Sequence, residues 1–134
     1  MTTWPMTSRL ETLPDAPGDR DAVREVPPRV VAELNGVAAD LLDGVPGSRT
    51  FATPDGAAVA LLVVAGDDVN VSFVATRPSA RRQGRATALV VGALARARDD
   101  GARTASLQST DAGRGLYGRL GFTVLGRWRE WVPA

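Results

Sequence analysis

The sequence predicts one α/β (α+β) domain, a mixed and mostly antiparallel sheet flanked by helices. Two observations carry this. Three strand-like runs succeed one another across the short turns Pro54-Asp55-Gly56 and Gly66-Asp67-Asp68, and two amphipathic helical stretches lie before and after them. At 134 residues the chain has room for one hydrophobic core and is short for two, so residues 1–134 are read as a single domain. An apolar content of 44% with 23% charged residues is that of an ordinary folded domain.

Pro5, Pro14, Pro17 and Gly18 punctuate a start without period, so residues 1–19 are expected to form a mobile arm, with room for a short strand near 8–13. After Pro27 and Pro28, Val30, Val31, Leu34, Val37, Ala38, Leu41 and Leu42 recur three and four positions apart. This spacing predicts one amphipathic helix ending at Gly44. Residues 49–53, 57–65 and 69–76 then read as antiparallel strands, the middle one apolar throughout and so buried on both faces.

Between Gly84 and Asp100, Ala86, Leu89, Val90, Ala93, Leu94 and Ala97 make an apolar stripe, Arg96, Arg98, Asp99 and Asp100 face water, and Gly101 supplies a C-terminal cap. Residues 103–109 read as a strand, Thr110 or Asp111 caps a short helix over 112–120, Gly121 stops it, and 122–132 form a closing strand.

The composition excludes much chemistry. With no cysteine and no histidine, disulfides, thiolate nucleophiles, imidazole bases and nearly every transition-metal site are absent, and no metal is expected. The longest apolar run, 57–65, falls short of the roughly 20 residues a spanning helix needs, and the start lacks a signal-peptide pattern; no membrane partner and a cytoplasmic address are expected. All sixteen basic residues are arginine, a bias best read as codon supply. The net charge of +1 is unevenly spread, with eleven arginines against seven acids after Thr50. Positive charge thus gathers in the second half, where an anion can sit.

The segment from Thr76 to Ala86 joins a strand to the long helix. Unpaired N–H groups and the helix dipole make a first helical turn a natural phosphate site. Gly84 and Ala86 are small enough to let phosphates approach the backbone, and Arg81, Arg82 and Arg85 can add charge-assisted bonds. A basic turn of this kind is also a common solvated surface.

In context the chain resembles the GNAT acetyltransferase superfamily. Arg81-Arg82-Gln83-Gly84-Arg85-Ala86 matches that family's Arg/Gln, two residues, Gly, one residue, Gly/Ala pattern, with Pro78 three residues earlier. Leu116-Tyr117-Gly118-Arg119-Leu120-Gly121-Phe122 is similar to its second motif. The resemblance covers about residues 48–126. It implies a GNAT-like splayed sheet holding coenzyme A at a V-shaped opening, with acetyl-CoA as co-substrate. Val74, Ala75 and Thr76 would offer backbone groups to the thioester and pantetheine. Arg81, Arg82, Gln83, Gly84, Arg85 and Ala86 would form the pyrophosphate loop, and Tyr117 would face the sulfur.

Acetyl transfer to an amine expels a thiolate that leaves more readily when protonated. Tyr117 is the only tyrosine; outside the motif it would read as an aromatic packed at a sheet edge. Where the family often has Asn and Ala, seven and four residues before this tyrosine, the chain has Thr110 and Gly113. Thr110 can still offer a hydroxyl to the cofactor, while Gly113, Gly115 and Gly118 each cost the helix roughly 1 kcal/mol relative to alanine. The acids Glu130, Asp111, Asp67 and Asp68 are candidates for the base, with ordered water an equal alternative, and the base is left unassigned.

The expected function is N-acetyl transfer from acetyl-CoA to a small-molecule or protein amine. The alternatives are a catalytically silent CoA-binding sensor or assembly subunit and, for the arginine-rich turn with Trp128 and Trp131 near Arg127 and Arg129, a nucleic-acid module. The near-neutral total argues against nucleic acid. With one clear helix before the strands, a homodimer covering 30–42 and the strand edges is expected.

Overall fold

The two turns seen in the sequence do join three antiparallel strands, and these are the middle of a larger sheet. The computed structural model describes residues 2–13, 23–81, 84–126 and 128–129. Among them the strands are β1 (Thr2–Arg9), β2 (Arg24–Glu25), β3 (Ser48–Ala52), β4 (Ala58–Ala65), β5 (Asp68–Thr76), β6 (Thr104–Ser109), β7 (Thr123–Val124) and β8 (Trp128–Arg129); the helices are α1 (Pro28–Asn35), α2 (Arg85–Asp99) and α3 (Asp111–Arg119). The sheet runs β2-β3-β4-β5-β6-β1-β7, with β8 paired to the start of β1. Only β5 and β6 pair in parallel, as expected where α2 provides the crossover between them.

Alternation along the strands divides the core. Ala58, Ala60 and Leu62 of β4, Val69 and Val71 of β5, and Ala105 and Leu107 of β6 face Leu89, Val90, Ala93, Leu94 and Ala97 of α2. Val59 and Leu61 of β4 point the other way, onto Val31 and Ala32 of α1. β4 is buried on both faces from Ala58 to Leu62, as its unbroken apolar run predicts. Tyr117, Leu120 and Phe122 join the α2 side, so α2 and α3 share one face and α1 covers the other.

Three expectations are corrected. The start of the chain is no mobile arm over its described residues: Thr2–Arg9 is an interior strand, in register with β6 from Trp4↔Ser109 to Arg9↔Thr104, with β7 on its other side. A 3-10 turn over Leu10–Thr12 follows it; residues 14–19 lie outside the described residues. Pro5 misled because a missing N–H costs little when the strand's other groups pair, while Met6 and Leu10 are fully buried. Burying one such side chain stabilises by about 1.5–3 kcal/mol.

The helix expected to run to Gly44 stops at Asn35. Gly36 takes a left-handed φ of 71° and closes the end with its N–H on Ala32 O and Glu33 O, and a separate 3-10 turn spans Ala39–Leu41. The apolar stripe is used within the chain: Val30, Val31, Ala32, Leu34, Val37 and Leu42 pack on the sheet, and Leu41 stays exposed. The closing strand expected over 122–132 is two short strands, β7 and β8, both paired to β1; residues 127 and 130–132 lie outside the described residues. The long helix and the α3 boundaries fall within one residue of expectation.

Candidate functional site

The sheet opens where β5 and β6 part. Their parallel pairing runs from Asp68↔Thr104 to Val71↔Leu107 and ends there, while β5 stays paired with β4 as far as Thr76. Between Leu61↔Ser72 and Val59↔Ala75 the register shifts, leaving Phe73 and Val74 without ladder partners. Phe73 has φ 52°, a bulge conformation that side chains disfavour. The extra residue resets the alternation. Val74 returns to the α2-side core, Ala75 faces the α1 side, and Thr76 reaches the mouth of the cleft described next.

From Thr76 the chain turns into α2. Arg77 N–H bonds Ala57 O at 2.7 Å, a 3-10 turn spans Pro78–Ala80, and Arg81 Nε returns to Thr76 O at 3.2 Å. Arg82 and Gln83 lie outside the described residues. Gly84, at φ 74°, is the N-cap of α2, and its end carries no side-chain cap bond. The first helical bond runs from Ala88 N to Gly84 O at 3.0 Å, so the N–H groups of Arg85, Ala86 and Thr87 start the helix without acceptors among the described residues. A Cβ on Gly84 would meet open space. The first turn opens onto a cleft of about 340 Å³ lined by Thr76, Arg81, Gly84, Ala86, Leu116 and Arg119 among others. Uncapped donors, the positive end of a fifteen-residue helix and nearby guanidinium groups together suit an anion.

Arg85 also lines this cleft, but its Nε is held by Asp55 Oδ2 at 2.9 Å. The turn Pro54-Asp55-Gly56, read from sequence only as a reversal, therefore braces the loop. Asp55 is in turn fixed by Thr53 Oγ1 and Ala57 N–H.

α3 closes the cleft from the β6 side. Thr110 is its N-cap, accepting from Gly113 N at 3.3 Å, so its hydroxyl oxygen is spent locally on the helix. Gly113 explains the departure from alanine in this motif, since a Cβ there would lie 2.9 Å from Ser109 Oγ and 3.4 Å from the Tyr117 ring. Tyr117 is half-buried against the core, edge to face with Phe122 at 5.9 Å and 68°. Burial pushes its phenol above the ordinary value, because the charged form loses solvation; at neutral pH it is a proton donor. Arg114 of α3 stacks over Trp4 of β1 at 4.0 Å, which ties the helix to the first strand.

Leu116 and Arg119, named from the sequence only as members of the second motif, line the cleft. Their i, i+3 spacing puts them on one helical face, and that spacing was the available signal. Asp67 and Asp68 do not reach the opening. They stand at the start of β5, and at about 3.3 Å per residue Asp68 is roughly 10 Å before Val71, where the pairing with β6 ends, and roughly 20 Å before Val74. Asp68 accepts from Thr104 Oγ1 and Ser106 Oγ, each at 2.8 Å. Glu130 lies outside the described residues. Among those residues no cluster of acids is placed to hold a metal ion, and no helix is long and apolar enough to cross a membrane.

Comparison with known proteins agrees with this fold. The chain superposes on a GCN5-related N-acetyltransferase from Kribbella flavida with TM-score 0.70 and 20% identity, over 95% of this chain and 56% of that one. A GCN5-related N-acetyltransferase from Sphaerobacter thermophilus gives 0.71 and 18%, over 94% and 49%. An acetyltransferase from Trypanosoma brucei gives 0.68 and 19%, over 83% and 98%. The chain thus spans about half the length of the first two. Likeness at such identities establishes the shared fold, with its splayed sheet. Among curated proteins none matches. The family model described as the acetyltransferase (GNAT) domain matches residues 46–124, more than half of the chain, and the chain belongs to that family.

Proposed function

We infer that the chain binds acetyl-CoA with its pyrophosphate at the N-terminus of α2 and transfers the acetyl group to an amine. The observation that carries this is the uncapped first turn of α2 opening onto the same cleft as α3. The N–H groups of Arg85, Ala86 and Thr87 supply donors, and Arg81 and Arg119 supply charge. Arg82 and Gln83 are assigned to the same loop from the motif. The parted edge of β5 at Val74, Ala75 and Thr76 suits an extended pantetheine arm, whose amides pair with free strand groups. Thr110, already capping α3, contributes through its remaining O–H.

In the proposed reaction the neutral amine attacks the thioester carbonyl carbon, forming the C–N bond. The tetrahedral oxyanion then collapses, the C–S bond breaks, and Tyr117 gives its proton to the departing thiolate. The proton lost by the amine passes to water, since Asp68 is engaged and distant. With Asp68 engaged and the side chains of Asp111 and Glu130 outside the described residues, no base is assigned, which keeps a second reading beside the first, a CoA-binding protein without turnover. An acetyl-CoA turnover assay against amino acids, polyamines, aminoglycosides and peptide N-termini, with hydrolysis alone as control, separates them. Transfer to any amine above hydrolysis supports catalysis; tight CoA binding with no transfer supports the second reading.

A further inference from the structure

Asn35, the last residue of α1, uses its side-chain amide twice. Nδ2 donates to Val31 O in its own helix and to Phe73 O in the β5 bulge, each at 2.9 Å. The first bond pins the side chain and the second reaches across the sheet. Gly36 makes this possible: by ending the helix at a left-handed φ it leaves Asn35 at the helix terminus, over the bulge.

The peptide between Phe73 and Val74 has little other support. Neither residue has a ladder partner in β4, pairing with β6 ends at Val71, and Phe73 holds a positive φ. A planar trans peptide sets its C=O and N–H antiparallel. α1 lies on one face of the sheet and α2 and α3 on the other. A Phe73 carbonyl held toward α1 therefore turns the Val74 N–H toward α2 and α3, the side on which the cleft opens.

We propose that Asn35 is a positioning residue for the thioester: by holding the Phe73 carbonyl it aims the Val74 N–H at the acetyl carbonyl of bound acetyl-CoA. This rests on the acetyl-CoA reading of the site. Asn35 itself touches no substrate. Its bond fixes the peptide plane in advance, so that the donor needs no reorganisation when negative charge develops on the carbonyl oxygen. The corresponding loss falls on the acetyl group alone, because CoA lacks that carbonyl.

The test compares acetyl-CoA with CoA in two variants. Asn35→Asp keeps the shape and replaces the donor with a carboxylate that repels the Phe73 carbonyl; Asn35→Ala removes the group. Melting curves establish that each is folded at the assay temperature, and Asn35→Ala serves where Asn35→Asp is not. The expected result is an unchanged affinity for CoA and about tenfold weaker binding of acetyl-CoA, the loss of one hydrogen bond. The infrared carbonyl stretch of bound carbonyl-13C acetyl-CoA should move back toward its frequency in solution. A role confined to stability would weaken both ligands alike. An unchanged ratio and an unchanged carbonyl frequency, with both ligands bound, would overturn the proposal and leave the site reading standing. A wild type that binds neither ligand would overturn both.

Discussion

Asp55 holds Arg85 at 2.9 Å, joining the turn between β3 and β4 to the first turn of α2. The same carboxylate accepts from Thr53 Oγ1 at 2.7 Å and Ala57 N at 3.0 Å, and Arg77 Nη2 reaches the Asp55 carbonyl at 3.3 Å. A surface turn thereby fixes both ends of the loop that carries Gly84.

This arrangement holds the Asp55 carboxyl at about 2, through the Thr53 hydroxyl first, then the Ala57 N–H and Arg85. The folded state favours the ionised form. Its contribution to stability is therefore full above about pH 4, the unfolded value, and is lost as pH falls through about 2. Carboxyl-carbon NMR should show this low midpoint. Thr53→Val should raise it more than Arg85→Gln does, and the reverse order would mean that the ion pair dominates.

Removing residues 2–9 should abolish cooperative folding, because β6 and β7 lose the strand between them and Met6, 1% exposed, leaves the core. Met6→Ala alone should cost about 2–5 kcal/mol. Denaturant melts read both. A truncated chain with an unchanged melt would restore the mobile arm.

How far the sequence foretold this follows from the range of the interactions involved. The turns at Pro54-Asp55-Gly56 and Gly66-Asp67-Asp68, the α2 stripe and the Thr110 cap are local signals, and each was legible. β1 was not, because its partners Thr104–Ser109 lie nearly a hundred residues away and its own residues alternate poorly around Pro5. The break at Gly36 was masked by apolar spacing that continues to Leu42 while the chain turns. The loop between β5 and α2 stood out as a motif, whereas its brace at Asp55 and the Asn35 contact with the bulge depend on tertiary proximity.

As the only tyrosine, Tyr117 can be titrated by its tyrosinate absorbance. Because burial raises its pKa, the folded protein should ionise above pH 10, and the denatured chain near about 10. A midpoint below 10 would contradict the effect of burial, and only one below about 7 would mean a phenolate at neutral pH, incompatible with a proton donor. Given turnover, Tyr117→Phe should lower kcat about 10- to 1000-fold with CoA affinity nearly unchanged. Full activity would leave the ring a packing residue.

The N-terminus of α2 as the coenzyme A site is tested most directly by calorimetric titration of CoA into wild type, Gly84→Ala and Gly84→Glu. Both variants bear the cost of a side chain at φ 74°, about 1–2 kcal/mol, and should remain folded because the added Cβ meets open space. Only Gly84→Glu adds bulk and negative charge where the phosphates would lie. The account predicts saturable binding of one CoA per wild-type chain, retained though weakened in Gly84→Ala, and none in folded Gly84→Glu. Equal binding by wild type and Gly84→Glu, or no binding by wild type, would contradict it.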